Sequence, residues 1–543
     1  MSNIKKILPL LLTLFALDSC SWGVEHLFNE QTDKVMEARG DVAHFEIIFS
    51  GNLNGETHPC GCRSFPLGGL PQVAGALARE KALYPVIYLD AGDTFFPQAY
   101  IPDSIIKSNI YTADTLIQGL DMLGLDFWLP GDQDFGQGAD FLKTHLANAK
   151  FKILAANLNP DIGLTIKRFA RIKVADQWIY ITGLLGSDFL APNVVSHLEN
   201  PELAFEKVTR EMDDAGYNPK RDYLIVLSHL GMDHDRELAK KFPIIDWIVG
   251  AHTQSFTNTA VEEGDTRIVQ VLGKNHYLGK ILFTLGPKSP AEWSLIEVRD
   301  ELKDQIKPNP MSDFLDKYKS AVDKMRLQEA NALGTVFNPG PTSIRTYRDC
   351  IGCHQDQHTF WKQTSHSLAL TTLWQSKETH NPECISCHSI GFKSPDGFAH
   401  PDEFAVLAKK DQQANYLKQV HQSFTQTPGK VVAVKDLSAK EKALLSKKWQ
   451  KLDDTFGVTS NFAHVQCLHC HDIADNHPFN PESGIVTKDK RAPEERYHNV
   501  CTKCHTPDRS PEWYEHGATS TDKELKKDFF KTKIKAISCP KSN

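Results

Sequence analysis

Four copies of one short pattern constrain this chain more than any other feature. They are Cys350-Ile-Gly-Cys353-His354, Cys384-Ile-Ser-Cys387-His388, Cys467-Leu-His-Cys470-His471 and Cys501-Thr-Lys-Cys504-His505. Two thiols separated by two residues can add to the two vinyl groups of one haem, and the histidine that follows falls beneath the iron as proximal ligand. Paired C-x-x-C also makes zinc ribbons, but those require no histidine after every second cysteine. The chain is therefore expected to carry four covalent haem c groups. Eight of its twelve cysteines are used in this way, so a disulfide framework does not explain the cysteine count.

Distal ligands are in good supply. Beyond residue 340 lie His358, His366, His380, His400, His421, His464, His469, His477, His498 and His516. The remaining composition is ordinary, with 41% hydrophobic residues, 24% charged residues and a net charge of −7. That balance gives no case for nucleic-acid binding, and the Lys pairs at 409–410, 447–448 and 526–527 alternate with acids as on solvated helix faces. A length of 543 residues predicts at least two domains.

At the N-terminus, Lys5-Lys6 precede an apolar run from Ile7 to Leu17 that stops at Cys20. This predicts an export signal over 1–20, too short to span a bilayer. Leu17-Asp18-Ser19-Cys20 resembles the lipobox of bacterial lipoproteins, which implies a lipid anchor at Cys20. The expected location is the periplasm, or the outer membrane as a lipoprotein, with membrane contact only through that anchor.

From 42 to 300, strand-like runs alternate with helical ones. The strands are expected at Phe45–Phe49, Val86–Leu89, Asp126–Leu129, Ile153–Ala156, Trp178–Leu184, Tyr223–Leu227 and Trp247–Val249, with amphipathic helices such as Leu70–Leu83 and Leu203–Ala215 between them. The pattern predicts an α/β domain with helices covering the sheet faces. Five strands end in ligand-capable residues: Asn52 and Asn54, then Asp93, then Asp132 and Asp134, then His229, then His252 and Gln254. Carboxyl ends of strands are where open α/β sheets build their sites. His58-Pro59-Cys60-Gly61-Cys62 follows the first of these ends. Its two cysteines could form a thiol or soft-metal site, or disulfides with Cys539 as a further candidate. Leu67-Gly68-Gly69-Leu70 reads as a tight turn into a helix.

The order of those strand ends resembles the calcineurin-like metallophosphoesterases, most closely their exported 5′-nucleotidase branch. The resemblance implies a sandwich of two sheets flanked by helices, and two metal ions that activate water against phosphorus. By it, Asn52 and Asn54 stand where the family has Asp and His, Asp93 is the bridging carboxylate, and Asp132 replaces an Asn. Gln133 replaces a catalytic His, while His229, His252 and Gln254 keep their places. One metal position would be held by Asp93, Asp132, His229 and His252, a set that suits zinc, manganese or iron. The other would be Asn52, Asn54, Gln254 and the shared Asp93, too poor in charge for a second divalent ion. The expectation is one metal at most and little phosphoesterase activity.

The segment 341–515 resembles the tetrahaem cytochromes that carry electrons in ammonia-oxidising bacteria. The likeness rests on Trp361-Lys-Gln-Thr-Ser-His366-Ser-Leu-Ala369 between the first two motifs, on Val465-Gln-Cys467 with His477, and on Cys504-His505-Thr-Pro-Asp-Arg-Ser510-Pro511. It implies His366 and His477 as distal ligands, with His358, His380, His464 and His516 as weaker candidates. It also implies a mainly α, loop-rich domain in which one haem can lack a distal ligand.

The expected organisation is a signal at 1–20, a linker at 21–41, the metallophosphoesterase-like domain at 42–300 and a helical linker at 301–340. The tetrahaem domain follows at 341–520, with a helical insertion near 400–460, and then a tail at 521–543. The helix expected at 311–333 is broken by Phe337-Asn-Pro-Gly-Pro341. The expected function is electron transfer to or from exported redox partners, namely other cytochromes or a membrane quinol oxidase. The alternatives are a haem redox enzyme acting on a small nitrogen or sulfur species, and an active 5′-nucleotidase-like phosphoesterase.

Overall fold

The structure, a computed structural model, describes residues 33–36, 43–59, 66–333, 344–425, 433–471, 493–507, 509–514 and 525–540. The export signal, Cys20, Cys60, Cys62, His477 and His516 lie outside the described residues. Among the described residues, no helix is long and apolar enough to cross a membrane.

Fourteen strands build the N-terminal half: β1 Lys34–Met36, β2 His44–Ser50, β3 Val86–Asp90, β4 Phe127–Trp128, β5 Lys152–Leu154, β6 Ile166–Lys167, β7 Phe169–Val174, β8 Gln177–Leu185, β9 Tyr223–His229, β10 Trp247–Gly250, β11 Val261–Glu263, β12 Thr266–Gln270, β13 Tyr277–Thr284 and β14 Glu292–Glu297. They form two mixed seven-stranded sheets, in the orders β1-β7-β8-β9-β10-β12-β11 and β14-β13-β2-β3-β4-β5-β6. Strands β2 to β6 run parallel to one another, as do β8, β9, β10 and β12, and the remaining pairs of those strands are antiparallel. Parallel neighbours release their following loops along one edge, so both sheets send loops to the same end.

The central strands β3, β9 and β10 are buried on both faces, which is why they read as continuous apolar runs rather than alternating ones. On β9, Tyr223, Ile225 and Leu227 join the core between the sheets, while Leu224 and Val226 pack beneath the outer helix Pro201–Asp214. Helix α1, Leu70–Leu83, has the bounds expected from its periodicity. Two expected strands are shorter than read. Asp126–Leu129 reduces to Phe127–Trp128 because Pro130 and Gly131 turn the chain at once. Ile153–Ala156 becomes Lys152–Leu154. Residues 34–36, read as linker, pair with β7 at a sheet edge.

A buried ion cluster makes this half sensitive to pH. Glu46 on β2 is 0% exposed, with Lys280 Nζ 3.6 Å away, and Lys280 also lies 3.3 Å from Glu80. Burial pushes the Glu46 carboxyl up to about 7 from 4.5, against the pull of Lys280. Its folded value is raised, so the folded state is favoured while the group is protonated, and stability falls as pH rises from about 4.5 towards 7. Glu46→Gln is expected to stabilise the N-terminal half by about 1–3 kcal/mol at pH 8 and by little at pH 5. Thermal melts at the two pH values check this, and equal shifts at both would contradict it.

The helices α2, Ile106–Leu123, and α3, Pro310–Ala332, pack together. Leu315, Tyr318 and Val322 of α3 join the hydrophobic cluster that includes α1 and α2, and Tyr318 Oη lies 2.8 Å from Thr112 Oγ1. Arg326, one turn beyond Val322, and Asp323 of the same helix meet Glu378 and His380 of the C-terminal half, so the expected linker helix is a wall shared by both. There, Trp449 of helix Ala439–Phe456 packs on Phe424 of helix Gln413–Thr425 and stacks on Trp374 at 5.4 Å. Strands β15, Ala405–Leu407, and β16, Val458–Asn461, pair antiparallel and close the insertion at its ends. Residues 527–537, read as tail, form a helix whose Phe530 and Ile534 pack on Trp513 and Tyr514.

Candidate metal centre and haem attachment sites

The loops after β2, β3 and β4 of one sheet meet those after β9 and β10 of the other. They bring Asp93, Asp132, His229 and His252 together, with one ligand atom of each within 4.8 Å of the others. Asp132 Oδ1 lies 3.2 Å from His229 Nε2 and 2.9 Å from His252 Nδ1, and Asp93 Oδ1 lies 3.3 Å from His229 Nε2. His229 Nδ1–H donates to the Ala91 carbonyl at 2.7 Å, which leaves Nε2 to face the carboxylates. Burial opposes charge on both partners. The flanking Asp93 and Asp132 nevertheless hold His229 well above its usual range, and the two imidazoles hold Asp132 below the carboxylate range. Two carboxylates and two imidazoles on a buried spot fit a single divalent ion.

The backbone is bent to make this possible. Asn52, Asn54, Asp93, His252 and Gln254 all have positive φ, between 49° and 70°. Such strain in non-glycine residues persists only where surrounding structure over-determines it. Asp134, noticed in the sequence only as a strand-end residue, is one source of that structure. Its buried carboxylate accepts from the backbone N–H groups of Asp93, Thr94, Phe95 and Gly131 at 2.8–2.9 Å, and so fastens two ligand loops together. Gly131 has no alternative: a Cβ there would sit 2.3 Å from Asp93 Oδ1 and 2.6 Å from His229 Cε1.

The neighbouring position is differently equipped. Gln133 donates its backbone N–H to Asp93 Oδ1 at 2.9 Å and its side-chain amide to Oδ2 at 3.0 Å. The oxygen that a bridging carboxylate would turn to a second metal is therefore already taken by an amide. Asn52 Oδ1 accepts from the His252 backbone N–H at 3.1 Å, and Asn52 Nδ2, Asn54 Oδ1 and Gln133 Oε1 are buried without hydrogen-bond partners among the described residues. Gln254 is half-buried two residues after His252, and its side chain makes no hydrogen bond to a described residue. The converging set is the other four.

In the C-terminal half, helix α4, Pro382–His388, carries Cys384, Cys387 and His388 on one face at i, i+3 and i+4. Cys467–Cys470 is likewise one helical turn, followed by His471. Cys350 and Cys501 end the helices Tyr347–Cys350 and Pro493–Cys501. Cysteines of separate motifs lie side by side, Cys350 next to Cys467 and Cys387 next to Cys504. The first and third motifs are thus neighbours, as are the second and fourth. His388 Nδ1 lies 2.6 Å from the Ala369 carbonyl and His505 Nδ1 lies 3.0 Å from Ser510 Oγ, which leaves each Nε2 for iron. Burial lowers both rings, His505 to about 4, so they stay neutral as ligands must.

Among the distal candidates, the structure separates His366 from the rest. Its ring makes no hydrogen bond to a described residue, and burial, then His469 and His388, lower it to about 4. His358 Nε2 accepts from Gln450 at 2.9 Å. His380 lies between Asp323, at 2.9 Å, and Asp402, at 3.7 Å. His464 Nδ1 accepts the Leu370 N–H at 3.1 Å, so its proton sits on Nε2, which then has no lone pair for iron. These three were candidates by resemblance; a ring nitrogen of each is hydrogen-bonded, while His464 Nε2 is buried without a partner among the described residues. Cys539 is a free, exposed thiol that acts electrostatically on Cys467 and Cys470 of the third motif.

Comparison with known proteins matches each half separately. Residues 349–415, containing the first two motifs, match the family model described as cytochrome c554 and c-prime. The N-terminal half matches 5′-nucleotidase relatives. Protein 5NUC of Lutzomyia longipalpis is 28% identical over 201 residues, covering 35% of this chain and 34% of its own length. The 5′-nucleotidase-related protein of Glossina morsitans morsitans is 28% identical over 258 residues, covering 43% and 44%. The chain thus spans a third to under half the length of these curated relatives. Among solved structures, the 5′-nucleotidase precursor from Thermus thermophilus aligns with a TM-score of 0.45 at 18% identity, over 62% of this chain and 67% of that one.

Proposed function

We propose that this chain is an exported four-haem electron carrier whose N-terminal half retains one metal position of a two-metal phosphoesterase and has given up the other. The haem half rests on the four attachment motifs, with His388 and His505 held by Nδ1 acceptors and His366 uncommitted. Haems held at these motifs would supply one-electron chemistry, and the protein's part is to ligate them and tune each potential. The redox partners are other exported cytochromes or a membrane quinol oxidase, with Cys20 as the tether.

The observation that carries the reading of the N-terminal half is the Gln133 amide on Asp93 Oδ2. Two-metal hydrolysis needs a carboxylate shared by both ions and a second set of anionic or imidazole ligands. Here the shared oxygen is engaged, and Asn52 and Asn54 bring neutral amides to the rest. The residues that remain can hold a metal, with the His229 ring oriented by its bond to the Ala91 carbonyl. A domain equipped in this way serves to bind a ligand or a partner.

The test is a phosphate-release assay on full-length holo-protein loaded with zinc or manganese, with AMP as substrate. The expected rate is no higher than that of the Asp132→Ala/His229→Ala variant. Turnover well above that variant would establish the hydrolase reading instead.

A further inference from the structure

The two halves meet through buried charge, and that charge sits against the second haem motif. Arg326 of α3 pairs with Glu378 at 2.6 Å, Nη1 to Oε2. His58 Nε2, from the loop that begins at Asn52 and Asn54, lies 2.9 Å from Glu378 Oε1. Asn381 completes the cluster: its Nδ2 donates to Glu378 Oε2 at 2.7 Å, while its Oδ1 accepts from the Glu383 N–H and caps α4. That helix carries Cys384, Cys387 and His388, and Cys384 lies within electrostatic range of the Arg326 guanidinium. Other charges ring the site. Asp323, His380 and Asp402 form a second seam cluster, and Arg509 reaches Glu383 at 3.5 Å and Cys387 Sγ at 3.8 Å.

We propose that Arg326 and Glu378 set the reduction potential of the haem attached at Cys384, Cys387 and His388, and that His58 ties this control to the loop at the N-terminal metal centre. The proposal rests on the electron-carrier reading. A guanidinium cannot lose its proton, so Arg326 is a permanent positive charge. Reduction adds one electron to a haem, which a nearby positive charge favours and a negative charge opposes. Arg326 and Glu378 are only 17% and 8% exposed at the side chain, so water and salt screen them weakly. The other three motifs lack such a pair from the N-terminal half among the described residues. Arg326 also lies outside the stretch 349–415 that matches the cytochrome family model, and it comes from the helix that joins the two halves. The fusion therefore adds electrostatics to one chosen haem.

The experiment is spectroelectrochemical titration of full-length holo-protein, with the wave of the second haem identified as the one missing from Cys384→Ala/Cys387→Ala. Arg326→Gln is expected to lower that midpoint and Glu378→Gln to raise it. The Arg326→Gln/Glu378→Gln double variant should return close to wild type, with the other three midpoints unmoved throughout. Opposite shifts that cancel cannot arise from loosened packing, which moves both single variants the same way. Should Arg326→Gln fail to fold, Arg326→Lys must leave the midpoint near wild type while Glu378→Gln still raises it. Midpoints that ignore both charges, or that shift in one direction for both, would overturn the proposal. A protein that takes up no electrons would instead overturn the electron-carrier reading on which it rests.

Discussion

Holo-protein freed of loosely held ions and titrated with zinc is expected to take up one ion per chain in its N-terminal half. Asn52→Asp/Asn54→His is expected to take up two. The first number follows from the four converging residues, and His229→Ala should weaken that ion by more than ~100-fold. Loss of groups that merely orient a ligand already costs 10–100-fold, and His229 is itself a ligand with its tautomer set by Ala91. The second number follows from what the neighbouring position lacks. Aspartate at 52 keeps the oxygen that accepts the His252 N–H and adds the missing charge, while histidine at 54 adds an imidazole. The second ion is expected to displace the Gln133 amide from Asp93 Oδ2, because the charge and imidazole added at 52 and 54 outweigh one neutral hydrogen bond, whose loss nothing offsets in the wild-type chain. Calorimetry with metal analysis gives both stoichiometries. Two ions on the wild-type chain would contradict the one-ion reading.

A comparably large effect is expected when the haems are withheld. Chain made without haem attachment should melt and resist protease through residue 333, and be digested quickly beyond it. The buried clusters of the C-terminal half are small and separate, one around Trp374 and Trp449 and another of Trp513, Tyr514, Phe530 and Ile534. Between them the motif cysteines are only partly buried, or exposed at Cys353, and two pairs lie side by side. Each porphyrin would bury several hundred square ångströms of apolar face, on the order of 10 kcal/mol at ~25 cal/mol/Å². Without it, short helices such as Tyr347–Cys350 and Cys467–Cys470 are too small to persist. Cys384→Ala/Cys387→Ala should lose one haem of four by pyridine haemochrome and lower the melting temperature of this half alone. A haem-free chain with a cooperative, protease-resistant C-terminal half would refute this dependence.

What the sequence made legible follows from where the physics is local. The run Leu224-Ile225-Val226-Leu227 is apolar on both faces because a parallel central strand is covered twice, and the alternation of Leu70–Leu83 shows its helix directly. The four metal-directed residues were readable because each ends a strand or lies in the loop just after one. Less local features were not. A two-residue strand such as β4 has no periodicity to read. Asp134 looked like a turn residue because its four partners are backbone N–H groups, whose positions depend on the path of two loops. The separation of His366 from His358, His380 and His464 lies in hydrogen bonds to Gln450, Asp323 and Leu370, up to 94 residues away. The pairing of Arg326 with Glu378 likewise spans 52 residues and a domain seam.

If the chain exists to hold electrons on four haems, those electrons can be counted. Coulometric titration of the purified full-length holo-protein, followed at the haem absorbance, gives the number accepted per chain. Four are expected, released again to an external cytochrome c, with no phosphate freed from AMP in the same sample. Uptake of fewer than four electrons by protein with all motifs occupied, or haem that reduces but cannot pass its electrons on, would rule the electron-carrier function out.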